Sequence, residues 1–158
     1  DLYRVKVAMG SKDQCDAPEV ADSAPMRIGQ TGPTLVPKAT MGEMTLQEGM
    51  GELVGRSLSS IEFVHDYIQF RFDGPYLTTL TLPSLRLTQT TVNPADQCYA
   101  DHLRSQIGSD VSTVEISSDE LVINFTAGSA LVVSLRDEDY HGPEAINYTT
   151  ESGHFFAA

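Results

Sequence analysis

The sequence predicts an α+β fold: two similar halves, each a helix followed by a three-stranded meander, that form a strongly curved, mostly antiparallel sheet or partial barrel with the helices packed on it. Three observations predict this. A shift from Gly55 to Gly108 lays GRSLSSIEFVHDYIQFRFDGPYLTTLTL (55–82) on GSDVSTVEISSDELVINFTAGSALVVSL (108–135) without a gap. Apolar residues inside each copy alternate at period two, the mark of half-buried strands. Ahead of each copy stands a start signal for an amphipathic helix.

The chain opens at 2–9 with Tyr3, Val5 and Val7 alternating with Arg4 and Lys6, which reads as a first strand. Over 10–38 the composition turns to Gly, Pro, Ser and Asp, and Pro18, Pro25, Pro33 and Pro37 forbid a continuous helix. This is a long connection in which 26–29 and 34–37 offer short edge strands. Loops of such length are usually functional, so it is a candidate contact surface.

Thr45-Leu46-Gln47-Glu48 has the form of a capping box, in which the Thr hydroxyl and the Glu carboxylate each satisfy a free backbone N–H. Leu46, Met50, Leu53 and Val54 then share one helix face, and Gly55 supplies the stop. In the second half Asn93 caps, Pro94 takes the first helical position, Tyr99, Leu103 and Ile107 form the face, and Gly108 ends it.

The first meander points Leu58, Ile61 and Phe63 inward, then Ile68, Phe70 and Phe72, then Leu80 and Leu82. Its turns at Val64-His65-Asp66 and Asp73-Gly74-Pro75 match Ser117-Ser118-Asp119 and Ala127-Gly128-Ser129 in the second half. Connections this tight force antiparallel neighbours. Residues 84–92 read as a further strand or a long hairpin arm. Residues 136–148 leave the sheet through a charged turn and return at Ala145, and His154-Phe155-Phe156 closes the fold.

One domain over residues 1–158 accommodates all of this, with the repeat at about 45–82 and 98–135, and a chain of this length buries roughly two-thirds of its unfolded surface. Hydrophobic residues at 41% and charged residues at 20% are a globular composition. Ten Lys and Arg against 22 Asp and Glu give a net charge of −12, which argues against nucleic acid and anionic membranes and leaves a basic protein as the charge-matched partner. No apolar run reaches the ~20 residues of a membrane span. A cytoplasmic location is expected, while the start at Asp1 leaves a removed leader open. Two cysteines, Cys15 and Cys98, are too few for a disulfide scaffold; idle thiols are expected ahead of a single long-loop disulfide.

His65, His102, His141 and His154 show no zinc-ligand spacing, and G-x-S-x-G, G-x-x-x-x-G-K-[ST] and G-x-G-x-x-G are absent. No catalytic residue, metal or cofactor is therefore assigned. Asp119-Glu120 and Asp137-Glu138-Asp139 fall at turns, where solvated carboxylates guard sheet edges more often than they form a catalytic dyad, and the calcium-loop pattern is missing. The most distinctive string is Asp139-Tyr140-His141-Gly142-Pro143-Glu144-Ala145. In it Tyr140 covers the open end of the sheet while Gly142 and Pro143 redirect the chain. Asp137, Glu138, Asp139, Tyr140, His141 and Glu144 are the candidate partner-binding residues.

The ending LVVSLRDEDYHGPEAINY, with IGSDVSTVEISSDELVINFTAGSALVVSL before it, resembles small uncharacterised bacterial domains that close with a strand, an acidic turn and a G-P-E-A segment. The shared part covers about 51–148. The resemblance implies an α+β domain and, more loosely, the small acidic immunity proteins that neutralise secreted toxins. It implies no catalytic or ligand residue.

Three functional readings follow. The leading one is a non-enzymatic binding protein, of immunity type, whose acidic surface meets a basic protein partner. Its rival is a small-molecule-binding or enzymatic domain in which the curved sheet encloses a pocket lined by Phe70, Phe72 and Phe125. The third is a module that associates with itself through open sheet edges.

Overall fold

The computed structural model describes residues 44–158. The expected strand at 2–9, the connection at 10–38 and Cys15 lie outside them. Helix α1 (Leu46–Met50) begins at the expected capping box: the Thr45 N–H donates to Glu48 Oε2 at 2.8 Å, and the Glu48 N–H donates to Thr45 Oγ1 at 3.3 Å. The chain then tightens into a 3₁₀ turn, Gly51–Leu53. It continues through β1 (Leu58–Val64), β2 (Tyr67–Phe72), β3 (Tyr76–Thr79), β4 (Ser84–Arg86) and β5 (Thr91–Val92). After α2 (Tyr99–Arg104) come β6 (Val111–Ile116), β7 (Glu120–Phe125), β8 (Ala130–Ser134), β9 (Ile146–Thr149) and β10 (Phe155–Ala157).

The described residues are mostly β with short helices, an α+β-like arrangement of two five-stranded antiparallel sheets. Their orders are β1-β2-β3-β9-β10 and β5-β4-β8-β7-β6. The single strongly curved sheet or partial barrel does not form, and the reason lies in which edges are occupied. On leaving β3, the chain crosses so that β4 pairs with β8; on leaving β8 it crosses back so that β9 pairs with β3. Each meander is thereby extended by a hairpin from the other half of the chain, and β1 and β6 are left at the outer ends. The segment at 84–92 is accordingly a hairpin, β4–β5.

A short bridge joins the entries to the two meanders. Ser57 faces Asp110 antiparallel. The Gly55 N–H donates to Val111 O at 2.8 Å and the Gly108 N–H to Leu58 O at 2.7 Å, while the Leu58 N–H donates to Ser109 O at 3.0 Å and the Val111 N–H to Arg56 O at 2.9 Å. Each bond maps onto its companion under the 53-residue separation of Ser57 and Asp110. Gly55 and Gly108 hold φ of +83° and +90° here, a left-handed conformation that L side chains adopt only with strain.

The third strand of the first meander departs from the expected register. Ile68 pairs with Thr79 and Phe70 with Leu77, while Leu121 pairs with Val133 and Ile123 with Leu131. Thr79 therefore occupies the place that Val133 holds in the other sheet, and Leu77 and Thr79, not Leu80 and Leu82, point inward; Leu82 is exposed. The cause is that the β2–β3 hairpin is one residue shorter than the β7–β8 hairpin. Phe72 N–H reaches Pro75 O at 2.9 Å, whereas Phe125 N–H reaches one residue further round its turn, to Ser129 O at 2.8 Å.

Phe70, Phe72, Ile123 and Phe125 are buried in one core with Met50, Leu53, Leu103 and Tyr148. Both helices are shorter than their apolar spacing predicts. Val54 and Ile107 fall in the turns after them and are exposed, because the chain has already swung into the bridge. At the second start, Asn93 does not cap: its Oδ1 accepts from Ser84 Oγ at 3.2 Å, and Asp96 Oδ2 accepts from its N–H at 2.6 Å, so turns precede Tyr99. Phe63 also differs from expectation, since it stands on the edge strand β1 and remains 49% exposed.

Candidate functional site

Two linkers cross between the sheets, residues 80–83 from β3 to β4 and residues 135–145 from β8 to β9. They touch, because the Leu80 N–H donates to Ala145 O at 2.8 Å. The longer linker carries all six candidate residues. Its turn is fixed by local bonds: the Asp139 N–H donates to Arg136 O at 3.0 Å and the Ser134 hydroxyl donates to Asp139 Oδ2 at 2.5 Å. Tyr140 packs against the core, and its hydroxyl donates to Asp137 Oδ1 at 2.9 Å. That bond to a carboxylate, assisted by burial, raises the Tyr140 phenol above its ordinary value.

The pairing of β7 with β8 brings the β6–β7 turn beside this linker, where the Leu135 N–H donates to Asp119 O at 2.8 Å. Between them lies an open depression of about 410 Å³ lined by Ser118, Asp119, Leu135, Arg136, Asp137 and Glu138. A smaller one of about 150 Å³ continues past Asp119 and Arg136 onto Val132 and Leu82, with Glu120 and Asp139 on its wall. Arg136 is the one cation in either lining and makes no ion pair among the described residues.

The structure thus gathers Asp137, Glu138 and Asp139 and adds Asp119, Glu120 and Arg136 to them. It does not bring Tyr140, His141 or Glu144 into either depression: Tyr140 packs on the core, His141 is exposed, and Glu144 Oε2 accepts from the Asn147 amide at 2.6 Å when that amide is turned to satisfy both its ends. In the sequence, Asp119-Glu120 and Asp137-Glu138-Asp139 read as separate turns. Arg136, Ser134 and Leu82 had no signal of their own, since their meeting depends on strand pairing and on the crossing of two linkers.

The histidines stand on four different elements: His65 in the β1–β2 turn, His102 on α2, His141 in the long linker and His154 ahead of β10. Among the described residues, no three His, Cys, Asp or Glu side chains gather as a set able to hold a metal ion. Phe70, Phe72 and Phe125 fill the core, and neither depression is lined by them. Cys98, just ahead of α2, is disulfide-bonded, contrary to the expectation of an idle thiol. No helix among the described residues is long and apolar enough to cross a membrane. No protein-family model, curated protein or solved structure matches this chain.

Proposed function

We propose that this chain is a non-enzymatic binding protein, of immunity type, whose acidic turn docks a basic protein partner. The observation that carries the reading is the crowding of Asp119, Asp137 and Glu138 around an open depression of about 410 Å³ with Arg136 as its one cation. Asp137, Glu138 and Asp139 are exposed on a turn already held by Ser134 and Tyr140, so they meet a partner with little further ordering. A net charge of −12 adds a long-range field that accelerates encounter with a positive surface. The disulfide at Cys98 favours an oxidising compartment over the cytoplasm for this encounter.

Beneath the site, the fold is read as one unit used twice, each copy a helix, a meander and a hairpin, with the two hairpins exchanged. The paired bonds of the Ser57–Asp110 bridge, the left-handed glycines 55 and 108, and the bulges after Leu58 and Val111 support this reading. On it, residues 135–145 are the one crossing that was lengthened, and the added length carries the acidic residues.

The test is association kinetics with a partner recovered by affinity capture. Reversing charge at Asp137 and Glu138 to Lys should slow association, and raising salt should slow it in the unaltered protein, because screening shortens the field to about 8 Å at 0.15 M ionic strength. The melting temperature should hardly move, since exposed charges contribute little to stability. Association at one rate in all variants and all salts would remove this turn as the docking site.

A further inference from the structure

We infer that β1 is a docking edge for β1 of a second copy of this chain, the two strands pairing antiparallel across a two-fold axis at Ile61. The first support is the direction of the backbone groups. The two-residue turn His65-Asp66 makes Val64 and Tyr67 the closing pair of the β1–β2 hairpin. In the matching turn of the other sheet, the Ser117 N–H donates to Glu120 O at 2.9 Å, which makes the closing pair a hydrogen-bonded one. Alternation then turns the N–H and C=O of Ile61 and Phe63 away from β2, toward the outside of the sheet. Such a row is a template for another strand.

The second support is a contrast between edges. β6 presents the equivalent row, but there the Gln47 side chain of α1 reaches across and donates to Val114 O at 3.4 Å. The residue on α2 that corresponds to Gln47 is Ala100, which has no amide to offer, and no side chain among the described residues bonds to Ile61 O. β5 and β10 are edges of two and three residues, against seven in β1. The strand holds neither proline nor lysine, Glu62 is its one charge, and its bulge, between Leu58 and Ser60, lies at the far end from Ile61 and Phe63.

A second copy is the occupant that the strand's own pattern fits. With Ile61 opposite Ile61 of the other copy, Glu62 falls opposite Ser60 and Phe63 opposite Ser59, so no like charges face each other. Centring the pair on Glu62 sets the two carboxylates face to face, which disfavours that register. In the favoured register Phe63 lies diagonal to Ile61 of the other strand, and the four side chains form one apolar cluster about the axis. Ile61 already packs against the core while Phe63 is 49% exposed, so pairing extends each core into the other and covers that ring.

Salt separates this contact from the docking of a basic partner. Two copies of charge −12 repel, so their pairing should strengthen as salt rises, opposite to the acidic turn's behaviour. The experiment is sedimentation velocity of the full chain from roughly 1 µM to 1 mM, at about 0.05 and 0.5 M salt, with hydrogen exchange read at Ile61 and Phe63. A monomer–dimer equilibrium favoured by salt is expected, with those two amides slowing as dimer accumulates. Phe63→Lys should raise the dissociation constant at least about tenfold, whereas Phe155→Lys, at the other exposed edge phenylalanine, should leave it unchanged. A chain that stays monomeric throughout overturns the inference. So does a dimer in which the two amides exchange at the monomer's rate, and so does slow exchange that is independent of concentration, which places another segment on the edge.

Discussion

The Ser57 hydroxyl donates to the Asp110 carboxylate where the two halves of the chain cross. Around that contact the backbone bonds come in exchanged pairs, and the glycines that admit them, Gly55 and Gly108, both have positive φ. A Cβ at either glycine meets nothing within 4 Å, so substitution strains the backbone without a clash. Gly55→Ala and Gly108→Ala should each cost about 1–2 kcal/mol in urea unfolding, and by similar amounts. An unchanged midpoint in either variant would mean the backbone is not held in this conformation.

Phe72 is fully buried opposite Leu58, and its removal leaves a large void in the shared core. Phe72→Ala should therefore cost about 3–5 kcal/mol, a severe loss for a domain of ordinary stability. Thr79 makes a contrasting case: it is buried where the other sheet has Val133, and its hydroxyl donates to Ile68 O at 3.3 Å. Thr79→Val should change stability by no more than about 1 kcal/mol, because burial of a methyl offsets one long hydrogen bond. A loss of the size seen for Phe72→Ala would refute the pairing of Ile68 with Thr79.

The Tyr148 hydroxyl, on a side chain with no exposed surface, shares its one proton between Glu52 Oε1 at 2.9 Å and Gly49 O at 3.2 Å. It fastens β9 to the first helix and its 3₁₀ turn, and Tyr148→Phe should cost about 1–3 kcal/mol. Burial first, and then the bond to the Glu52 carboxylate, push the Tyr148 phenol far above its ordinary value of 10.0; burial does the same to Tyr99. A folded value above the unfolded one gives stability that is complete below pH 10 and lost as pH rises past it. Ultraviolet titration should show these two phenols ionising only with alkaline unfolding. Reversible ionisation of all tyrosines in a folded chain would contradict the burial.

Glu48 shows the opposite sign. The Thr45 backbone N–H, then its hydroxyl, hold the exposed Glu48 carboxyl below the usual 4.5. Stability from the capping box is thus present above pH 4.5 and fades as pH falls through the lowered folded value. Nuclear magnetic resonance titration should find the Glu48 carboxyl ionising below 4.5. Glu48→Gln should remove that titration while keeping the helix, since an amide oxygen also accepts from Thr45 N–H.

Much of the local structure was legible in the chain alone. Thr45 and Glu48 announce a helix start because their bonds close within four residues, and Phe70, Phe72, Ile123 and Phe125 announce a buried face because strand periodicity is a property of consecutive residues. The acidic turn was visible as composition, and Asp119-Glu120 as a second one. What tertiary structure alone decided is where those pieces go. The exchange of β4 and β9 between sheets follows from which edge each crossing reaches, and that depends on backbone hydrogen bonds that every sequence can make. The same exchange brings Asp119 beside Leu135 and leaves Phe63 on an outer strand. A β2–β3 hairpin one residue shorter than β7–β8 moved the inward positions from Leu80 to Thr79, although the apolar pattern matched without a gap. Side-chain periodicity names a face within a strand, but pairing between strands is carried by the backbone, which bears no residue-specific mark.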